Sequence, residues 1–136
     1  IIKKVEEALW VLNGKNLAVL GLAFKPNTDD IRFSPAMDIV TALLKKGVKV
    51  TAYDPEAMEN AKRVLKDIKY TNDPYETMSG ADALLILTDW EDFKNLDLAK
   101  VKSLLKAPII VDARNLYDPK KMKESGFTYK SVGRPE

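Results

Sequence analysis

The segment KNLAVLGL, residues Lys15–Leu22, decides the fold because it is a short and almost continuous apolar run that leads into a polar loop. Such a run predicts a strand that is buried inside a sheet. Upstream, apolar residues recur with helical spacing from Ile1 to Leu12, which predicts a helix that ends at Asn13-Gly14. The chain therefore opens with a helix and a central buried strand.

Helix and strand patterns alternate in the rest of the chain. The predicted helices cover about residues 35–46, 55–65, 74–78, 98–105 and 120–124, and the predicted strands cover 48–53, 68–70, 83–87, 109–111 and 127–129. This alternation favours parallel pairing through right-handed crossovers. We predict an α/β fold with a doubly wound, mostly parallel sheet of about six strands, Rossmann-like, in a single domain.

Four predicted helices begin with a Ser or Asp followed by Pro, at Ser34, Asp54, Asp73 and Asp118. A Ser or Asp oxygen accepts a hydrogen bond from a free N–H of the first turn, and proline suits the first helical position. Asp54 has a second interpretation, as the acid that binds a ribose in dinucleotide folds, but capping explains it better.

Composition limits the chemistry that the chain can perform. It has 136 residues, 22 basic and 20 acidic, with a net charge of +2 and neither Cys nor His. Disulfides, thiolate metal sites and a thiol nucleophile are excluded, and the commonest acid–base group is missing. We expect a binding role rather than a catalytic one, with no catalytic residue, metal, nucleic-acid partner or membrane segment. No signal peptide is visible, which suggests a cytoplasmic protein. The start at Ile1 rather than Met suggests a piece cut from a longer chain.

The loop after the first strand is the most informative segment, because ligands of doubly wound sheets bind at the carboxyl ends of strands. A dinucleotide site would read G-x-G-x-x-G here, but this loop has only Gly21, followed by Phe24 and Lys25. The usual cradle for NAD is therefore absent. Lys25 and Arg32 offer cations for an anionic ligand. Alternatively, they are solvated charges that pair with neighbouring aspartates, Asp29 and Asp30.

Two further loops belong to the same predicted edge of the sheet. Arg114 follows the fifth strand and is a third candidate anion ligand, unless it forms a salt bridge with Asp112 or Asp118. Trp90 follows the fourth strand, and we expect it to pack over the sheet rather than to stack on a base. The loops at Lys25, Trp90 and Arg114 should lie together.

Several ordered motifs carry a family resemblance, namely GLAFKPNTDDIRFSPA (21–36), VTAYDPEAMENAK (50–62), TDWEDF (88–93), VDARNLYDP (111–119) and GFTYKSVGR (126–134). The chain resembles the UDP-glucose/GDP-mannose dehydrogenase family in its C-terminal UDP-binding domain. The FKPNTDD wording is most similar to members that oxidise UDP-glucose to UDP-glucuronate. The alternatives are members that act on UDP-N-acetylmannosamine or GDP-mannose, and a free-standing nucleotide-binding domain without catalysis.

The resemblance implies that Phe24, Lys25 and Arg114 contact the UDP-sugar and that Arg32 reaches NAD. In the family NAD is bound mainly by an N-terminal domain, and the sugar is oxidised through a thioester to a cysteine of the earlier domains. We therefore expect this fragment to be inactive alone. Two residues depart from the family pattern: Phe33 stands where Glu is common, and Ala113 stands where Gly is common, so a positive φ there would be strained.

The resemblance also implies a domain arrangement. Residues 1–14 would be the end of a helix that connects a central domain to this one, and residues 15–136 would form the UDP-sugar-binding domain. The implied partners are a UDP-sugar and the N-terminal and central domains of the same chain, and the full-length protein would be a homo-oligomer.

Overall fold

The computed structural model describes residues 1–132, in which six parallel strands form one sheet. The strands are β1 Asn16–Leu20, β2 Lys49–Tyr53, β3 Lys69–Tyr70, β4 Ala83–Ile86, β5 Ile109–Asp112 and β6 Thr128–Ser131. Their order is β3-β2-β1-β4-β5-β6, so the direction of winding reverses between β1 and β4. The predicted doubly wound α/β fold is confirmed.

Helices connect the strands. They are α1 Ile2–Leu9, α2 Pro35–Lys45, α3 Met58–Lys62, α4 Pro74–Met78, α5 Glu91–Lys94, α6 Leu98–Leu104 and α7 Pro119–Glu124. Residues 133–136, which end the last family motif and the predicted domain, lie outside the described residues. None of the helices described between residues 1 and 132 has the length and apolar character that crossing a membrane requires.

The two faces of the sheet bury separate apolar clusters, because alternate residues of each strand point to opposite sides. Leu17 and Val19 of β1 pack in a cluster with residues of α1, α2 and α3, whereas Ala18 and Leu20 pack with residues of α4 to α7. The central strands are consequently covered on both sides, as their continuous apolar sequence predicts.

The strand register brings the carboxyl ends to one edge. Leu20 at the end of β1 is paired with Tyr53 of β2 and with Ile86 of β4, and Ile86 is paired with Asp112 of β5. The loops that contain Lys25, Trp90 and Arg114 leave these strands directly. They therefore lie at the same edge, as predicted.

Some boundaries differ from the sequence prediction. The first helix ends at Leu9, and Trp10 follows with φ 68°, so Asn13-Gly14 lies in a later turn. The third helix begins at Met58 rather than at Pro55, because the residues after Asp54 form a turn first. The short helix α5 was not predicted, since its four residues are too few to show a helical period.

The predicted caps are only partly correct. The side chains of Asp73 and Asp118 accept hydrogen bonds from the N–H groups of Tyr75 and Lys120. Ser34 occupies the cap position of α2, but its hydroxyl instead donates to the carbonyl of Leu22 at 2.9 Å. This serine ties the helix start to the turn after β1.

Candidate nucleotide-binding edge

Asp54 organises the edge at the end of β2. Its side chain is completely buried, with 0% of the residue exposed to solvent. Oδ2 accepts hydrogen bonds from the N–H groups of Leu22 at 2.8 Å and Ala23 at 3.0 Å. Oδ1 accepts from the N–H groups of Glu56 at 2.9 Å and Ala57 at 2.8 Å. One carboxylate thus fixes two turns to each other.

The turn after β1 does not fit the pyrophosphate of a dinucleotide. In a dinucleotide-binding fold, backbone N–H groups of this turn face the phosphates. Here those of Leu22 and Ala23 donate to Asp54, and that of Phe24 donates to the carbonyl of Asp30 at 2.7 Å. Asp54 also has no exposed oxygen to offer a ribose. The capping-type explanation of Asp54 is supported, although the groups that it caps belong to turns.

Gly21 allows the loops that follow β1 and β4 to run close together. Its φ is +100°, and a Cβ atom there would lie 2.6 Å from the backbone N and the Cβ of Thr88. The Thr88 hydroxyl donates to the carbonyl of Ala23 at 3.0 Å. The single glycine of this loop therefore serves close packing between the two loops.

The rest of the first loop is folded back on the domain and presents Phe24 and Lys25. The Asn60 amide of α3 donates to the carbonyl of Asp29 at 2.9 Å, which fixes the middle of the loop. Phe24 stays 48% exposed although it is aromatic, and Lys25 is exposed beside it. An aromatic ring and an ammonium group at the mouth of the edge suit a ligand with a base or sugar and a phosphate.

Arg32 forms a two-point contact with Asp30. Its Nε and Nη2 atoms each lie 3.0 Å from a carboxylate oxygen of Asp30, while 81% of the Arg32 side chain remains exposed. The Arg32 hydrogen bonds lower the pKa of Asp30, and the charge of Lys25 adds a smaller effect in the same direction. The alternative of loop charges that pair with each other thus describes Arg32, but an exposed pair of this kind is easily exchanged for a ligand.

A cleft of about 550 Å³ runs along this part of the loop and is lined by Thr28, Asp29, Asp30, Ile31, Arg32, Asn60, Arg63 and Val64. Arg32 therefore faces a space large enough for part of a nucleotide. Phe24, Lys25 and Arg114 do not line this cleft. Of the four predicted site residues, Arg32 is thus the one that lines this cleft.

Arg114 lies at the carboxyl end of β5 and pairs with a different acid from the two that the sequence suggested. Its Nη2 atom lies 3.4 Å from Oδ1 of Asp89, in the loop after β4. Asp112 is instead occupied by the N–H groups of Arg114 at 2.9 Å and Leu116 at 2.7 Å. Asp118 caps α7. Both predicted salt-bridge partners are thus wrong.

Trp90 packs against the sheet as predicted, and Phe93 packs in the same cluster. Both are buried in the cluster of apolar residues on the α4-to-α7 face of the sheet. The carbonyl of Phe93 accepts a hydrogen bond from the hydroxyl of Tyr117. Trp90 also borders a second cleft of about 490 Å³, together with Asn27, Thr28, Asp29 and Glu56. Packing, rather than stacking on a base, accounts for both rings.

The two departures from the family pattern have different outcomes. Among residues 1–132, the positive φ values outside glycine belong to Trp10, Asn27, Phe33 and Asn115. Ala113 has no such strain, and the left-handed residue of its loop is Asn115, which tolerates that conformation well. Phe33 has no charge and therefore cannot form the ion pair that a Glu could form there. It has φ 57° and is 92% exposed, so it packs little within the domain.

The sequence does not reveal the contacts of two residues that shape the edge, Asp54 and Asp89. Asp54 was assigned to a helix cap, although its place just after the β1–β2 register pair Leu20 and Tyr53 put it next to the first turn. Asp89 was not considered as a partner of Arg114. Asp89 and Arg114 lie close together because β4 pairs with β5, and this pairing is known only once the strand order is known.

The fold and the edge together define a doubly wound ligand-binding domain in which the dinucleotide cradle is closed and cations flank the strand ends. A sequence profile described as the UDP-glucose/GDP-mannose dehydrogenase family, UDP binding domain, matches residues 18–119. The chain belongs to this family.

Individual relatives agree. The chain is 49% identical over 125 residues to a UDP-glucose 6-dehydrogenase of Rhizobium meliloti (strain 1021), covering 92% of this chain and 29% of that protein. It is 46% identical over 136 residues to the UDP-glucose 6-dehydrogenase TuaD of Bacillus subtilis (strain 168), covering 99% of this chain and 30% of the relative.

A solved structure shows the same architecture. The UDP-glucose dehydrogenase of the archaeon Pyrobaculum islandicum superposes with a TM-score of 0.77 at 35% identity, over 95% of this chain and 28% of that one. The chain thus spans less than a third of the length of these relatives.

Proposed function

We propose that this chain is the UDP-sugar-binding domain of an NAD-dependent dehydrogenase that oxidises UDP-glucose to UDP-glucuronate. The observation that carries the proposal is the closed turn after β1, which is followed directly by the exposed side chains of Phe24 and Lys25. A domain of this architecture without a dinucleotide cradle retains the carboxyl edge as its ligand-binding edge. The names of the relatives specify UDP-glucose as the sugar nucleotide.

In this proposal Phe24, Lys25 and Arg114 contact the UDP-sugar. Lys25 and Arg114 supply positive charge for the diphosphate, and Phe24 supplies an apolar surface for the uridine or the sugar. Both cations follow strands of the same parallel sheet, β1 and β5, at the same edge. These strands flank β4, so a UDP-sugar that lies across the carboxyl end of β4 would meet both.

NAD would be bound mainly by another domain of a longer chain, and Arg32 would reach it from this one. The exposed guanidinium on the cleft of about 550 Å³ supports this role. When bound, NAD accepts hydride from the sugar. The described residues include no thiol and no dinucleotide cradle. In this proposal the chain therefore binds and orients ligands, and the oxidation itself needs other domains. The chain alone is accordingly expected to produce no NADH from UDP-glucose.

The proposal includes the wider arrangement. Residues 1–14 would end a helix from a central domain, residues 15–136 would form the UDP-sugar-binding domain, and the full-length protein would act as a cytoplasmic homo-oligomer. The same edge would suit UDP-N-acetylmannosamine or GDP-mannose, so sugar competition is part of the test. A free-standing nucleotide-binding domain is the other alternative, and the dehydrogenase relatives weigh against it.

The test is a set of steady-state titrations with UDP-glucose at saturating NAD in the full-length protein. Each charge-assisted contact contributes about 1.5–3 kcal/mol, so Lys25→Ala and Arg114→Ala should each raise KM roughly 10–150-fold. Lys49→Ala is the control, since Lys49 is exposed at the opposite end of β2. Unchanged KM values in both variants, with intact folding, would reject the proposed site.

A further inference from the structure

The ion pair between Asp89 and Arg114 links two neighbouring loops at the ligand-binding edge. Asp89 follows β4 and Arg114 follows β5, and these strands pair with Ile86 opposite Asp112. Oδ1 of Asp89 lies 3.4 Å from Nη2 of Arg114. The contact joins residues that are far apart in sequence but fixed by adjacent strands.

Asp89 is held in place by its neighbours in the chain. Thr88 is buried and donates its hydroxyl to the carbonyl of Ala23, and Trp90 is buried in the apolar cluster. With both flanking residues anchored, the carboxylate of Asp89 has a restricted range. Its Oδ1 atom is shielded from solvent and accepts no hydrogen bond, so the nearby guanidinium is the charge that compensates it.

Arg114 is held separately at its backbone. Asp112 accepts hydrogen bonds from the N–H groups of Arg114 and Leu116 and, at 2.6 Å, from the hydroxyl of Tyr129. Its carboxylate is therefore committed to the strand end, which leaves orientation of the guanidinium to Asp89. A guanidinium has five N–H donors, so a contact through Nη2 leaves donors for a second anion.

We propose that Asp89 is a positioning residue that orients the Arg114 guanidinium toward the diphosphate of the UDP-sugar. The inference rests on the proposed role of Arg114 as a ligand contact. Asp89 itself does not touch the ligand in this account, because a carboxylate would repel a phosphate. It acts by keeping a long and otherwise mobile side chain, whose exposed portion is 41%, in a binding orientation.

The experiment is a double-mutant cycle in the full-length protein, with Asp89→Asn, Arg114→Ala and the double variant. The dissociation constant for UDP is measured by calorimetry, and KM and kcat for UDP-glucose are measured at saturating NAD. Glu91→Gln is the matched control, because Glu91 begins the helix that follows the Asp89 loop and forms an exposed ion pair with Lys94 at 3.5 Å. Thermal melts check folding, and Asp89→Ser takes the place of Asp89→Asn if the latter is unstable.

We expect Asp89→Asn to weaken UDP binding and raise KM about tenfold with little change in kcat, because orientation of one binding group is lost. In the Arg114→Ala background the same change should have no effect, and Glu91→Gln should have none in either. If Arg114→Ala weakens binding but Asp89→Asn does not, or if the two effects add, the positioning role is overturned while the proposed site stands. If Arg114→Ala changes nothing, the proposed site at Arg114 and this inference both fail.

Discussion

The carboxylate of Asp54 accepts a hydrogen bond from the backbone N–H of Leu22 at 2.8 Å, and this contact closes the turn after β1. The N–H of Ala23 donates to the same oxygen. In a dinucleotide-binding domain these backbone groups would face phosphates. The domain keeps the doubly wound architecture but uses an internal carboxylate where a dinucleotide-binding domain uses a ligand.

Replacement of Asp54 tests how far the edge depends on this carboxylate. Asp54→Ala leaves the buried N–H groups of Leu22 and Ala23 without acceptors. Because each such group costs about 1–3 kcal/mol, the free energy of unfolding in urea should fall by about 2–6 kcal/mol. Asp73→Ala removes an exposed cap at Tyr75 and serves as the control, at about 1 kcal/mol. Equal losses in both variants would contradict the central role of Asp54.

Two glycines allow the energetic cost of close packing to be distinguished from the cost of a left-handed backbone conformation. Gly21 and Gly14 both have positive φ, but an added Cβ would meet Thr88 at 2.6 Å at the first and nothing within 4 Å at the second. Gly14→Ala should cost about 1–2 kcal/mol from backbone strain alone. Gly21→Ala should cost at least about 2 kcal/mol more, because Thr88 must move. Urea denaturation compares the two, and similar losses would refute the packing role of Gly21.

Arg32 should affect the cofactor rather than the sugar nucleotide. Arg32→Ala in the full-length protein is expected to raise KM for NAD roughly 10–150-fold and to leave KM for UDP-glucose unchanged. Stability should change by less than about 1 kcal/mol, since the pair with Asp30 is exposed. Lys62→Ala, which removes another exposed pair with Glu59, controls for loss of a surface charge. If Arg32→Ala weakens both substrates equally, the loop acts as one structural unit.

Burial raises the pKa of Tyr70 to about 12 from its ordinary 10.0, and its hydroxyl donates to the carbonyl of Leu65 at 2.7 Å. Folding thus favours the neutral phenol. The stability linked to Tyr70 is complete below the unfolded pKa and is lost as the pH rises from 10.0 through about 12. Urea denaturation across this range should show a smaller decline for Tyr70→Phe than for the parent. Parallel declines would contradict the assignment.

The sequence was sufficient for the fold because its signals are local. The apolar run at β1, the Asp-Pro pairs and the alternation of periods predict parallel strands with helices between them, as the structure shows. The boundaries that failed lie where tertiary contacts decide. The carboxylate of Asp54 accepts hydrogen bonds from Leu22 and Ala23 in the turn after the adjacent strand. Helix α3 begins only at Met58, after a turn.

The site was less predictable, because its contacts join different strands. The sequence identifies Lys25, Arg32 and Arg114 as loop cations and places Lys25 and Arg114 at one edge. It does not give their partners. Asp89 is 25 residues from Arg114, and only the pairing of β4 with β5 makes it the neighbour of the guanidinium in place of Asp112.

We propose that this domain binds a uridine nucleotide at its carboxyl edge and does not bind NAD in the turn after β1. Backbone amide NMR of residues 1–136, titrated separately with UDP and with NAD, tests it most directly. UDP should shift the signals of Phe24, Lys25 and Arg114 with a dissociation constant of about 1 mM or weaker, because neighbouring domains supply the remaining contacts. NAD should leave the signals of Leu22 and Ala23 unchanged. Saturable NAD-induced shifts at Leu22 and Ala23, or UDP shifts confined to the opposite edge of the sheet, would contradict the account.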